Sequence, residues 1–145
     1  MANLACGGPE DLDDLVATTS DNDAVVRYWS AIGIGNLAKQ TPAVNESIAK
    51  LIKDEAPCVR IAAARALIKL GLTEETALSV LKSELTSEHQ WARLRAAIVL
   101  GEAGEVARPL IPEMKACLEG QPNKYITRVA NRTLNVLLGS NNQVR

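Results

Sequence analysis

Four arginines, Arg27, Arg60, Arg93 and Arg128, stand 33, 33 and 35 residues apart, each near the start of an apolar helical run. Eleven residues beyond each comes a small residue: Ala38, Gly71, Gly104 and Gly139. The clearest copy runs from Val59 to Gly71 as Val-Arg-Ile-Ala-Ala-Ala-Arg-Ala-Leu-Ile-Lys-Leu-Gly. Self-similarity at this period marks an array of small units, none of which can bury its apolar face alone, so that each must stack on its neighbours.

Apolar residues at helical spacing fill each unit, and no strand alternation interrupts them. Four helix pairs are predicted, at about residues 9–38, 41–71, 73–104 and 107–139. Pro9 and the Thr41-Pro42 pair read as helix starts, since a proline in the first turn removes an N–H that has no partner anyway. Ser87 and Gln90 are spaced as a capping box. Asn3-Leu4-Ala5 recurs as Asn36-Leu37-Ala38, so residues 1–8 read either as the remnant of a preceding helix or as a disordered start. Residues 140–145 read as a polar tail that frays.

Composition narrows the function. The chain is 47% hydrophobic with only 3% aromatic residues and no Phe, which suits helices brought close by Ala and Leu rather than a β sandwich. A net charge of −1 argues against a dedicated nucleic-acid binder, which is usually basic. Cys6, Cys58 and Cys117 show no short-range pairing and read as free thiols, Cys117 packing as a small apolar residue. No apolar run reaches 18 residues, so no transmembrane helix is expected, and the first residues lack the pattern of a signal peptide. His89 has no companion at metal-ligand spacing, and Gly33-x-Gly35 lies inside a helix and follows no strand. The expectation is a protein with no catalytic residues, no metal and no cofactor.

The spacing Asp-x-x-x-x-Val-Arg, followed by Ala and then Leu, resembles the HEAT repeat. It stands as Asp21…Val26-Arg27 and Asp54…Val59-Arg60, weakens to Ser87…Ala92-Arg93, and keeps only Thr127-Arg128 in the last unit. The resemblance implies an all-α, two-layer right-handed α-α superhelix, a HEAT-like solenoid. It also implies a structural ladder of Asp21, Arg27, Asp54, Arg60, Arg93 and Arg128, and it puts the second helix of each pair on the concave side.

On a helical wheel, positions +2, +5 and +9 from each arginine lie opposite the apolar face. They are Trp29, Ile32, Asn36; Ala62, Arg65, Lys69; Arg95, Ile98, Glu102; and Ala130, Thr133, Leu137. Trp29, Ile32, Arg65, Lys69, Arg95 and Ile98 are the candidate binding residues. Charge divides the same way: the second helices hold nine Lys/Arg against Asp23 and Glu102, and the remainder holds seven against fifteen acids. A mildly basic strip beside a tryptophan suits an acidic protein surface or an anionic glycan.

A narrower resemblance rests on Val26-Arg27-Tyr28-Trp29, Pro57 to Ala64, Ala107-Arg108-Pro109-Leu110-Ile111-Pro112 and Tyr125 to Arg132. These are similar to the HEAT tail that follows the catalytic domain of some bacterial sulfatases. The C/S-x-P-x-R signature of the catalytic part is missing, so the resemblance implies an accessory module with a parent catalytic domain or another protein as partner. Bilin lyase subunits and DNA repair glycosylases of HEAT-like layout are the alternatives; the second wants a more basic and more aromatic groove. Leu134, Val136, Leu137 and Leu138 leave the last helix richly apolar, which predicts self-association through that end.

Overall fold

The computed structural model describes residues 11–144. The proposed helix remnant at residues 1–8, Cys6 and Pro9 lie outside the described residues. Among those described there are eight α-helices, one 3-10 helix and no strand. The α-helices are α1 (Leu12–Thr18), α2 (Ala24–Leu37), α3 (Pro42–Leu51), α4 (Pro57–Leu70), α5 (Glu74–Leu85), α6 (Gln90–Ala103), α7 (Ile111–Ala116) and α8 (Lys124–Leu138). The 3-10 helix covers Gly104–Leu110. The chain divides into two compact units between Ala77 and Leu78, inside α5.

In the first unit α1 packs on α2, α3 on α4, and α2 lies against α4. Leu15, Ile34, Val44, Ile48, Val59 and Ala63 form its buried interior. Small residues set the spacing of the second helices. A Cβ added to Gly35 would lie 3.1 Å from Ala66 Cα and 3.3 Å from Ala66 Cβ, so α2 and α4 approach to the limit that two bare backbones allow. Ser30, almost fully buried, exchanges a 2.7 Å hydrogen bond with Thr18 and donates to the Val26 carbonyl, so the polar group between α1 and α2 is satisfied.

In the second unit α6 lies against α8, and α7 packs on α8. Leu100, Met114, Ile126 and Leu134 are buried in it. The first element of the last pair is broken, not continuous: the 3-10 helix carries Pro109 inside it, and α7 restarts with Pro112 in its first turn. Arg108 ties this segment down, pairing with Glu105 at 2.7 Å and donating to the Leu137 carbonyl at 3.1 Å.

All four small residues seen at the fixed offset end their helices with positive φ: Ala38 at 49°, Gly71 at 66°, Gly104 at 59° and Gly139 at 61°. At Ala38, Gly71 and Gly139 the backbone is left-handed helical, which lets the chain leave the helix, whereas Gly104 has ψ −126° and leads into the 3-10 helix. Two sequence expectations change. The Ser87–Gln90 capping box does not form; the helix start is His89, and Ser87 Oγ accepts from the His89 N–H. The tail does not fray where it leaves α8, because Ser140 and the Asn142 N–H both donate to Asn135 Oδ1, and Asn131 and Asn135 donate to the Asn142 carbonyl at 2.8 Å.

Gly35→Val puts two extra methyl groups and a stiff branch against the Ala66 backbone. It should cost about 1–3 kcal/mol of overpacking, read as a lower midpoint in thermal or urea unfolding. An unchanged midpoint would mean that α2 and α4 do not touch at this point.

Candidate interaction surface

The outward faces of the second helices are set by how each helix starts. In three of them an arginine at the fourth helical position reaches back over the preceding turn. Arg27 donates through Nη1 to the carbonyls of Asp21 and Asn22, at 2.9 and 3.0 Å. Arg60 does the same to Asp54 and Glu55, at 2.7 and 2.9 Å. Arg93 donates to the Ser87 carbonyl at 2.6 Å. The turn is closed from its other side by a side chain two residues before the cap: Asp21, Asp54 and Ser87 accept from the N–H of Asp23, Ala56 and His89. These contacts leave carbonyls satisfied that a bare turn would expose, and they fix the rotation of the helix that follows.

One pair links successive repeats. Arg27 grips Asp54 with two parallel hydrogen bonds, Nε to Oδ2 at 2.7 Å and Nη2 to Oδ1 at 3.0 Å, with both side chains about nine-tenths buried. The hydrogen bond from Arg27 holds the Asp54 carboxyl below the ordinary carboxylate range, and that from Asp54 raises the Arg27 guanidinium. The position of Asp54 is held by Ser87 before α6 and by Gln121 before α8. There the rung changes character: Arg93 Nε and Gln121 Oε1 are both buried without a hydrogen-bond partner among the described residues.

Arg128 is placed differently from the other three arginines. Helix α8 begins after its cap Asn123, whose Oδ1 accepts from Tyr125, so the fourth position is Thr127 and Arg128 falls one residue late. Its guanidinium lies over the Tyr125 ring, 5.8 Å from the centroid. Counting outward positions from Arg128 therefore rotates the strip on α8 by one residue. Ala130, Thr133 and Leu137, expected on that strip, are buried; Val129, Arg132 and Val136 occupy it instead, with Val136 73% exposed.

Counted from the helix start, the outward face is the second, sixth, ninth and thirteenth residue. On α2 it is Val25, Trp29, Ile32 and Asn36, and on α4 Cys58, Ala62, Arg65 and Lys69. On α6 it is Trp91, Arg95, Ile98 and Glu102, and on α8 Tyr125, Val129, Arg132 and Val136. In the first unit Trp29 is partly exposed and stands edge-on to Tyr28 with centroids 5.2 Å apart. Arg65 is half-buried and donates to Asn36 Oδ1 at 3.2 Å, Lys69 is exposed, and Ala62 is buried. In the second unit Arg95 is exposed and Ile98 half-buried. The second-position residues were missed by counting from the arginines. Trp91 and Tyr125, 73% and 62% exposed, are the largest of them. Their spacing of four residues from the next outward position is the signal that identifies them.

Between α6 and α8 lies a cleft of about 330 Å³ walled by Ile98, Val129, Val136 and Leu137, with Glu102 and Arg132 at its edge. Its floor is tight because a Cβ on Gly101 would meet Thr133 Oγ1 at 3.0 Å. No group of three or more His, Cys, Asp or Glu that could hold a metal ion occurs among the described residues. Burial pushes the Cys117 thiol up, away from the thiolate form a nucleophile needs. No described helix is long and apolar enough to cross a membrane.

Residues 12–101 match the family described as HEAT repeats. The chain belongs to that family. Two crystal structures of engineered proteins from the Northeast Structural Genomics Consortium share the fold of this HEAT repeat chain, each at 20% identity. One has a TM-score of 0.58 with 94% of this chain and 69% of the other covered. The second has a TM-score of 0.57, covering 97% of this chain and 43% of its own length. No curated protein matches. The all-helical fold is that of an α-solenoid built from HEAT repeats. The likeness to a sulfatase tail finds no support in these comparisons.

Asp54→Ala should destabilise the protein by about 1–3 kcal/mol, because it leaves the buried Arg27 guanidinium without its carboxylate. Since Arg27 depresses the folded-state pKa of Asp54, the pair's contribution is complete above roughly pH 4 and is lost as pH falls through the lower folded value. Unfolding midpoints measured from neutral pH downward should converge for parent and variant. A gap that stays constant into strong acid would contradict the assignment.

Proposed function

We propose that this HEAT repeat chain is a non-catalytic interaction or scaffold module that binds an acidic protein surface through the outward strips of its second helices. The supporting observation is that aromatic or apolar side chains and cations share that face: Trp29, Arg65 and Lys69 in the first unit, Trp91, Arg95 and Ile98 in the second. An aromatic plane can stack on a peptide while neighbouring cations pair with carboxylates, and neither role needs a reacting group. The separation of charge supports the same reading, since the bases gather on the second helices of a chain that is nearly neutral overall. A partner catalytic domain, of which a sulfatase-like enzyme is one instance, fits such a module and rests on the sequence resemblance alone. An anionic glycan is the second reading, favoured by the same cations.

The reading is tested by titrating acidic peptides and sulfated oligosaccharides into the parent and into a Trp29→Ala, Arg65→Glu, Arg95→Glu variant. The acidic peptides should bind the parent, lose affinity by about tenfold or more in the variant, and weaken as salt rises, because exposed charges are screened within about 8–10 Å. Equal binding by both proteins would leave a plain spacer.

A further inference from the structure

In the second unit the outward face of α6 and α8 has two apolar ends joined by a cationic edge. At the helix starts Trp91 and Tyr125 occupy the same helical position on neighbouring helices and are among the most exposed large side chains described. At the other end lies the α6–α8 cleft, with exposed Val136 on its rim. From Tyr125 to Val136 on the far rim of the cleft is eleven helical residues, about 16 Å at 1.5 Å per residue.

Along one side Lys124, Arg128 and Arg132 repeat every fourth residue, all exposed, on a helix that carries no acid. Like charges four apart on a helix repel, so the arrangement works against helix stability unless an anion answers it. Arg132, on the edge of the cleft, has no hydrogen-bond or ion-pair partner among the described residues. Together α6 and α8 hold five bases, Arg93, Arg95, Lys124, Arg128 and Arg132, against Glu102 alone.

We infer that this face docks a short acidic segment of a partner protein carrying two apolar anchors, one against Trp91 and Tyr125 and the other in the cleft. Its carboxylates, lying between the anchors, pair with Arg128 and Arg132. This deepens the protein-binding reading and rests on it. The cleft decides for a peptide over a glycan or a nucleic-acid backbone, because its walls are Ile, Val and Leu and only an apolar side chain gains by entering. Its volume sits at the low end of ligand pockets and suits a side chain or two. In an extended chain the anchors would fall about five residues apart at roughly 3.3 Å per residue.

The test is calorimetric titration of the full chain with a synthetic peptide of two leucines separated by four acidic residues. The parent should bind it, with affinity falling about tenfold or more in Arg132→Glu and in Trp91→Ala, but retained in Arg132→Lys. Replacing both leucines by serine should abolish binding. Thermal melts of the variants, whose changed side chains are exposed, should fall no lower than the parent's, with Arg132→Glu if anything higher because it removes the Arg128–Arg132 repulsion. Affinity unchanged in both Arg132→Glu and Trp91→Ala overturns the inference. If binding is then lost in Trp29→Ala, Arg65→Glu, the first unit is the docking face and the protein-binding reading stands without this one. A parent that binds no acidic peptide overturns both, and a sulfated oligosaccharide that binds with the same variant sensitivity and displaces the peptide makes a glycan the occupant.

Discussion

The rotation of the second helices depends on how their first turns are clamped. A helix can present any of its sides to solvent until something fixes its start, and on α2, α4 and α6 an arginine side chain does so by folding back onto the carbonyls of the turn it has just left. With the start fixed, the 3.6-residue period carries the same face along every helix, and the small residues at the far end let the chain turn away. The Arg27–Asp54 pair adds a link from one repeat to the next, while the close approach at Gly35 and Ala66 holds the helices at the distance the pair requires. Clamp, pair and contact are separate interactions, yet each is useful only while the others hold the register.

Much of this is written in the chain. The period of the arginines gives the number of helix pairs, and the small residues Ala38, Gly71, Gly104 and Gly139 mark four helix ends, each with positive φ, which glycine adopts without the clash a Cβ brings. The fold was legible for that reason. The candidate surface was legible only in part. Arg128 looks like the fourth member of the series, but the cap at Asn123 starts α8 one residue earlier relative to it, and a one-residue error turns a helix by about 100°. That is enough to exchange Ala130, Thr133 and Leu137 for Val129, Arg132 and Val136. Asn123 caps α8 through its side chain with Thr127 at the fourth position, and only the hydrogen-bond geometry reveals the shift. The fold-back of the tail onto Asn131 and Asn135 was hidden likewise, since a run of polar residues does not announce which amide will hold it.

The division of labour among residues of one type follows from position. Arg27, Arg60 and Arg93 each donate to carbonyls of the turn before their own helix, and Arg27 also grips Asp54 of the next repeat. Arg132, a third of the way round the helix and beside an apolar cleft, is not consumed in this way. A repeat scaffold separates the two uses because stacking occupies one face and leaves the opposite one open. The outward face has therefore been filled unit by unit with different chemistry, Trp29 and Lys69 in one, Trp91, Tyr125 and Arg132 in the other.

The register of α8 carries the account, and cysteine accessibility measures it directly. In a background with Cys6, Cys58 and Cys117 replaced, single cysteines at Val129, Arg132 and Val136 should react rapidly with a thiol reagent in the folded protein. Cysteines at Ala130, Thr133 and Leu137 should react only at the rate of unfolding. The reverse pattern would place the start of the helix one residue on, in phase with Arg128, and would contradict the outward face of Tyr125, Val129, Arg132 and Val136.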